Sequence, residues 1–496
     1  HSLVLTCIMI ALTVGLSSAD ARRKPRPKKG KPEGAPDYAP TVRKGDGAHL
    51  ALTMRKLKNG LDPERPFVIW AIGSSFTNKL GRGKDYFEYM KEHFPNGPNE
   101  FDYRIQVGNS ATWQDSTGWA MHRVSADQPD LVLIYTIGNH RLDVDDLDRL
   151  LRVIRQNTTA DIIVPSIHWL NRHSDEFEKG EMSARDWNHP KTRAVCEKYG
   201  VEYIPIREDW GRYLRENGLP VTSLLADSVH QSDYGRQIVN MSINAHFRTP
   251  KAFAYDPDER ERRLRPGVEP LSIRKNESIG AGEGWSKKDG KLVSSKKGAR
   301  LEVTFQGRRL DLIGARAPDG GTADVFIDGK PAGEYPAFIQ SYIDQGKDNK
   351  RIERYPTRDR SPHGVILGEN VVPQTWTITM TDDEGGFKLE GSVTGPDGEG
   401  VNTERWTSDS GQIVVDPYLW RGAGSKRRPT FAGDTFTWTV SRATAPEVSF
   451  DGKAGERFRV RLVQSAPNAE HTVTIVPRGD GPVTVEAFDV FEPPLK

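Results

Sequence analysis

Cysteine is nearly absent from this sequence, with only Cys7 and Cys196 among 496 residues. Cys7 lies in an N-terminal leader, described below. With that leader removed, Cys196 stands alone, no intramolecular disulfide can form, and the chain relies on packed cores. Net charge is also close to absent, at +2 from 70 basic and 68 acidic residues. The basic excess sits in Asp20–Gly34, where seven Lys or Arg face two acidic residues, so the remainder is slightly acidic. A body without a clustered basic face argues against nucleic acid as a partner. Long apolar runs are missing too, except Ser2–Ala19, which is uncharged and ends in small residues. That run reads as a secretory signal peptide and is short for a bilayer span. The residues before Cys7, Val4-Leu5-Thr6, make a poor lipoprotein box. The expectation is a secreted or periplasmic protein with no integral membrane association once the leader is cleaved.

What is present suffices for several cores. Apolar residues make up 36% and charged residues 28% of a chain whose length suits about three domains. Gly 47 and Pro 33 suit a loop-rich chain with much turn-connected β structure. The sequence divides into a leader (1–19), a basic, Pro-rich and solvated linker (20–43), an α/β unit (44–250) and a β region (267–496) of one or two modules. In the α/β unit, Phe67–Ile72, Tyr103–Val107, Leu131–Ile137, Asp161–Ile167 and Glu202–Ile206 read as strands. Between them Leu147, Leu150, Leu151 and Ile154 recur at helical spacing. This alternation predicts a parallel sheet covered on both faces, with ligands at the carboxyl ends of its strands. After Gly267 the helical period gives way to short alternating segments such as Leu301–Phe305, Trp376–Met380 and Phe436–Val440. Those predict jelly-roll or immunoglobulin-like β-sandwich material.

Polar residues that carry chemistry cluster at the strand ends. Gly73-Ser74-Ser75 follows the first strand, where glycine permits a tight turn and Ser75 opens a helix. Read alone, a serine there is most simply an N-cap. Gly108-Asn109-Ser110 and Gly138-Asn139-His140 follow the next two strands and are, separately, ordinary turns. Asp227-Ser228-Val229-His230 precedes the last helix, and an Asp three residues before a His can orient its imidazole and support its charge.

Taken together and in order, these blocks resemble the SGNH (GDSL) hydrolases. The matching residues are Gly73-Ser74-Ser75, Gly108, Gly138-Asn139 and Asp227-Ser228-Val229-His230, spread over about residues 66–248. The Gly-Asn block is shorter than the family's Gly-x-Asn, Ser74 stands where many members have Asp, and His140 follows Asn139 where Asp is common. The resemblance implies a flavodoxin-like α/β domain in which Ser75 is the nucleophile, His230 the general base and Asp227 its orienting partner. It also implies an oxyanion hole formed by the Ser75 N–H, the Gly108 N–H and the Asn139 amide.

Other signals are weaker. His168, His173 and His189 match no strong ligand spacing, so no metal is expected. No organic cofactor is needed by this chemistry either. Trp113, Trp119, His140, His168 and Trp169 follow strand ends and are candidates to line a substrate cleft, where indole faces suit sugar rings. Trp285, Trp376, Trp406, Trp420 and Trp438 form either a sugar platform in the β region or its cores. The sequons at Asn157, Asn240 and Asn276 have meaning only in a host that glycosylates them. The function expected is an exported serine esterase acting on an acylated, most simply acetylated, polysaccharide. A lipase or lysophospholipase and a non-catalytic polysaccharide-binding protein are the alternatives. The α/β unit is expected to keep activity on a small ester without the residues after Pro250, unless a loop of the β region closes over Ser75.

Overall fold

The computed structural model describes residues 30–108, 111–136, 144–180, 189–268, 274–341, 343, 359–426 and 429–496. The leader and the most basic part of the linker lie outside them. Five strands, β1 (Phe67–Gly73), β2 (Phe101–Val107), β3 (Leu131–Tyr135), β4 (Asp161–Pro165) and β5 (Glu202–Ile204), form one parallel sheet in the order 2-1-3-4-5. That is the flavodoxin-like order, with its switch point between β1 and β3. Every residue of β3 and β4 is buried, as a sheet covered on both faces requires. One face packs Phe67, Ile69, Leu133 and Ile163 against helices that include Ile206–Glu216 and Asp233–Asn244. The other packs Ile72, Val132, Ile134 and Ile162 against helix Asp145–Asn157, through the Leu147, Leu150, Leu151 and Ile154 stripe.

Gly73 pairs with Val107 on one side and Tyr135 on the other, so β1, β2 and β3 end level. The polar blocks after them therefore share one edge of the sheet.

Part of the presumed linker is packed rather than solvated. Tyr38 is buried, its N–H donates to the Tyr234 hydroxyl (2.9 Å), and its own hydroxyl bonds Ser242 Oγ (2.6 Å). Tyr213 donates to Pro36 O (2.8 Å). The Pro and Lys content hid this anchor, which depends on partners some 200 residues away.

The β region holds two sandwiches, one nested in the other. In the outer one, Leu301–Gly307 lies between Ala469–Pro477 and Ser278–Ala281, and Arg309–Ala315 lies between Arg457–Val463 and Val483–Phe491 in the facing sheet. Leu301, Val303, Phe305, Leu312 and Phe488 meet between them. The outer sandwich also takes in Glu261–Leu264, which pairs with Val483–Phe491. The inner one comprises a sheet around Gln374–Met380 and Thr435–Arg442 and a smaller sheet containing Ile413–Val415. All its strands fall between Lys330–Pro331 and Glu447–Ser449. Trp376, Trp420 and Trp438 are buried in its core, so these three are packing residues and form no sugar platform. Trp285 and Trp406 are half-buried against the two sandwich cores.

The α/β unit and the β region share buried charge. Lys56 Nζ lies 2.8 Å from Asp130 and 2.7 Å from Glu261, the last on a sandwich strand. Arg260 reaches the fully buried Asp161 (3.4 Å), and Tyr255 also donates to it. Burial opposes ionisation of Asp130, but Lys56 and Arg65 outweigh it and hold the carboxyl well below the usual range. Gln464 donates to Ser125 O (2.9 Å), and Arg308 donates to Gln156 O (2.6 Å). These contacts join the α/β unit to the β region through buried charge and hydrogen bonds. Among the described residues no helix is long and apolar enough to cross a membrane.

Candidate active site

The turn after β1 is built around Gly73. Its φ is 152°, and a Cβ there would collide with Tyr135 O. Thr77 donates to that same carbonyl and so fastens the short helix Ser75–Asn78 to the end of β3. Ser74 is buried and caps the helix, its Oγ accepting from Phe76 N (3.4 Å). Ser75 follows as the first helical residue, where its backbone N–H has no intrahelical acceptor. The two adjacent serines thus have different surroundings.

A second turn brings acid and base to Ser75. Asp227 Oδ1 accepts the N–H groups of Val229 (2.9 Å) and His230 (2.8 Å), curling the chain back on itself. Ala226 N–H donates to His230 O (2.8 Å) and closes the turn. In this geometry His230 Nδ1–H donates to Asp227 Oδ2 (2.8 Å), and His230 Nε2 lies 2.8 Å from Ser75 Oγ. Partial burial disfavours the Asp227 carboxylate, but the two backbone N–H groups and the His230 ring outweigh it and hold the acid below the usual carboxylate range. Asp227 therefore stays ionised at neutral pH and fixes the ring tautomer with Nε2 free to accept a proton. Such an arrangement can deprotonate a serine hydroxyl and return the proton to a leaving group.

Behind the turn lies a support, His168, whose place after a strand suggests a cleft-lining role instead. His168 is fully buried; its Nε2–H donates to Val229 O (2.8 Å), and its Nδ1 accepts from the Tyr135 hydroxyl (2.7 Å). It lines no cleft, and instead props the Asp227–His230 turn from the ends of β3 and β4. Phe76 meets the edges of the His168 ring (5.1 Å between centroids) and the His230 ring (5.7 Å). A His-Trp pair after a strand carries no signal for this role, since the partner is a backbone carbonyl 61 residues away.

Other expected contacts are corrected. Trp169 is buried, donates to Arg207 O (3.2 Å) and stacks under the Arg207 guanidinium (3.6 Å). Trp113 is buried with Val132 and Leu147. Trp119 is covered by His363 of the inner sandwich, the rings stacked at 4.6 Å. The Gly108 N–H, expected to face an oxyanion, donates to Gly73 O (3.2 Å) as a last rung between β2 and β1. Asn139 and His140 lie outside the described residues. Among the described residues no group of His, Cys, Asp and Glu could hold a metal.

These features define an α/β protein with a hydrogen-bonded Ser–His–Asp series at the carboxyl edge of a 2-1-3-4-5 sheet. No protein-family model matches the chain. Among curated proteins it is similar to the vitamin B12-binding protein of Vibrio parahaemolyticus, 30% identical over 102 residues. That match takes in 20% of this chain and 37% of the relative, so the chain spans little over a third of it. Solved structures it is similar to include a two-domain esterase active on acetylated mannans, co-crystallised with mannopentaose. That likeness is 11% identical, covers 90% of this chain and 95% of the other, and has a TM-score of 0.33. A GDSL-like lipase from Parabacteroides merdae is 16% identical, over 37% of this chain and 96% of that one, with a TM-score of 0.31. An acetylxylan esterase from Geobacillus stearothermophilus is 14% identical, over 40% of this chain and all of that one, with a TM-score of 0.30. At such scores, function has to be read from this chain's own side chains.

Proposed function

We propose that this chain is an exported serine esterase that removes small acyl groups, most readily acetyl, from a polysaccharide. The observation that carries the reading is the unbroken series from Asp227 Oδ2 through the His230 ring to Ser75 Oγ, with 2.8 Å at each step. Ser75 Oγ attacks the ester carbonyl as His230 Nε2 takes its proton. Collapse of the tetrahedral intermediate expels the sugar hydroxyl, which receives that proton. Water, deprotonated by the same nitrogen, then releases the acid from the acyl-enzyme. The Ser75 N–H and the Asn139 amide are the donors for the oxyanion, and neither metal nor organic cofactor enters. A small acyl group is favoured because Phe76 packs against the His230 ring, with the buried His168 as its other contact. The polysaccharide part rests on the export signal and the appended sandwiches. A p-nitrophenyl series from acetate to long acyl chains, followed by acetylated glycans, tests it. Preference for long chains contradicts the reading.

Two substitutions probe the chemistry. Asp227→Asn is expected to lower kcat roughly 10³- to 10⁴-fold, because an amide does not hold the same tautomer or support the imidazolium. Activity within tenfold of wild type on p-nitrophenyl acetate contradicts that role. Asn139→Ala is expected to lower kcat by roughly 10²–10³ with little change in KM, since the amide helps most when charge develops. A change confined to KM makes Asn139 a substrate contact instead.

A further inference from the structure

The inner sandwich reaches the catalytic edge through residues 359–363 and 417–421. Gln114 donates to Tyr418 O (3.0 Å), Tyr418 donates to Asp146 (2.8 Å), and His363 Nδ1–H donates to Asp115 O (3.1 Å). These contacts would serve simply to dock one body on another. Arg421 does something more specific. Its side chain is 1% exposed, and its Nη1 lies 3.6 Å from the Asp115 carboxylate and 3.7 Å from that of Asp359. The same Nη1 occupies the volume that a Cβ on Gly108 would take. An arginine from the inserted module thus rests against the backbone at the end of β2.

Both ends of the segment after β2 are held this way. Gly108 begins it, tied to the nucleophile turn through Gly73 O (3.2 Å). Asp115 ends it, accepting the Thr112 N–H (2.8 Å) in the capping box of helix Trp113–Trp119. Both carboxylates face the one nitrogen, Nη1, and a buried planar guanidinium set between them keeps its direction better than a flexible ammonium would. We propose that Arg421 is a positioning residue for the esterase reaction. From the inserted sandwich it fixes the turn after β2 against the turn that carries Ser75, so that the nucleophile keeps its reactive geometry. The inference rests on Ser75 being the nucleophile. Misplacing a reacting group by a fraction of an ångström acts on kcat, whereas a small ester's KM depends on few contacts.

The test measures kcat, KM and Tm of the full chain on p-nitrophenyl acetate. Arg421→Gln is expected to lower kcat about 10- to 100-fold with KM within about twofold, and Arg421→Lys to fall in between. Tyr418→Phe, at the same interface but away from Gly108, is expected to keep wild-type kcat. Normal kcat in a folded Arg421→Gln, or an equal kcat loss in Tyr418→Phe, overturns the proposal. If Arg421→Gln does not fold, Arg421→Lys carries the same test, and wild-type kcat in that variant overturns it. Ser75→Ala measured alongside separates the two levels. Turnover that survives Ser75→Ala removes the reading of the site and this inference with it, whereas turnover lost in Ser75→Ala but normal in Arg421→Gln removes the inference alone.

Discussion

Ser75→Ala is expected to lower ester hydrolysis by about 10⁴-fold or more while leaving Tm within a few degrees of wild type. The size follows from the loss of the covalent route: His230 then faces a methyl group, and the only remaining help is binding and the oxyanion donors. The fold is expected to tolerate the change because Ser75 is partly exposed and makes one side-chain hydrogen bond, to His230 (2.8 Å). Ser74→Ala is the control, since that hydroxyl is buried and only caps the helix at 3.4 Å. It is expected to cost stability of about 1 kcal/mol, the usual price of an N-cap, and not chemistry. Unchanged turnover in Ser75→Ala, or a collapse confined to Ser74→Ala, contradicts the assignment.

The second large effect concerns stability. A chain ending near Pro250 loses Tyr255, Arg260 and Glu261 together with both sandwiches. Asp161, fully buried, then keeps the Thr53 N–H (2.8 Å) but loses its cation and the Tyr255 hydroxyl. Lys56 keeps Asp130 and loses Glu261. Leaving one buried charge without its partner costs about 3–5 kcal/mol, a large part of the roughly 5–15 kcal/mol that holds a typical domain together. The Trp119 face under His363 and the Gly108 turn under Arg421 are uncovered as well. Circular dichroism on heating is expected to show no cooperative transition for the shortened chain. A transition within a few degrees of the full chain, with small-ester activity intact, contradicts this.

The α/β architecture was legible because its signals are local. Runs such as Leu131–Tyr135 are apolar throughout, and the helix Asp145–Asn157 buries the stripe its spacing announces. The chemical blocks are, one by one, ordinary caps and turns, and Ser75, Asp227 and His230 stand out through the order of the blocks and the family resemblance that order carries. What escaped depends on distant pairing. Nothing in the order of β segments reveals that Lys330–Pro331 and Glu447–Ser449 flank an inserted sandwich, since antiparallel strands in such folds carry the same alternation. The tryptophans Trp113, Trp169, Trp376, Trp420 and Trp438 are equally suited to a core or a sugar face, and burial decided for the core. In the sequence Gly108 suggests a close approach for a ligand, whereas the space beside it belongs to Arg421, over 300 residues away. The Thr112-x-x-Asp115 capping box was visible in the sequence and would have marked the start of that helix.

Whether Ser75 is the nucleophile of a Ser–His–Asp esterase is decided by treating the full chain with a fluorophosphonate and analysing its peptides by mass spectrometry. One equivalent is expected to bind, on Ser75, with ester hydrolysis lost in proportion and labelling abolished in Asp227→Asn/His230→Ala. An adduct on Ser74 or on another residue, or full hydrolytic activity with Ser75 unmodified, would contradict that role for Ser75.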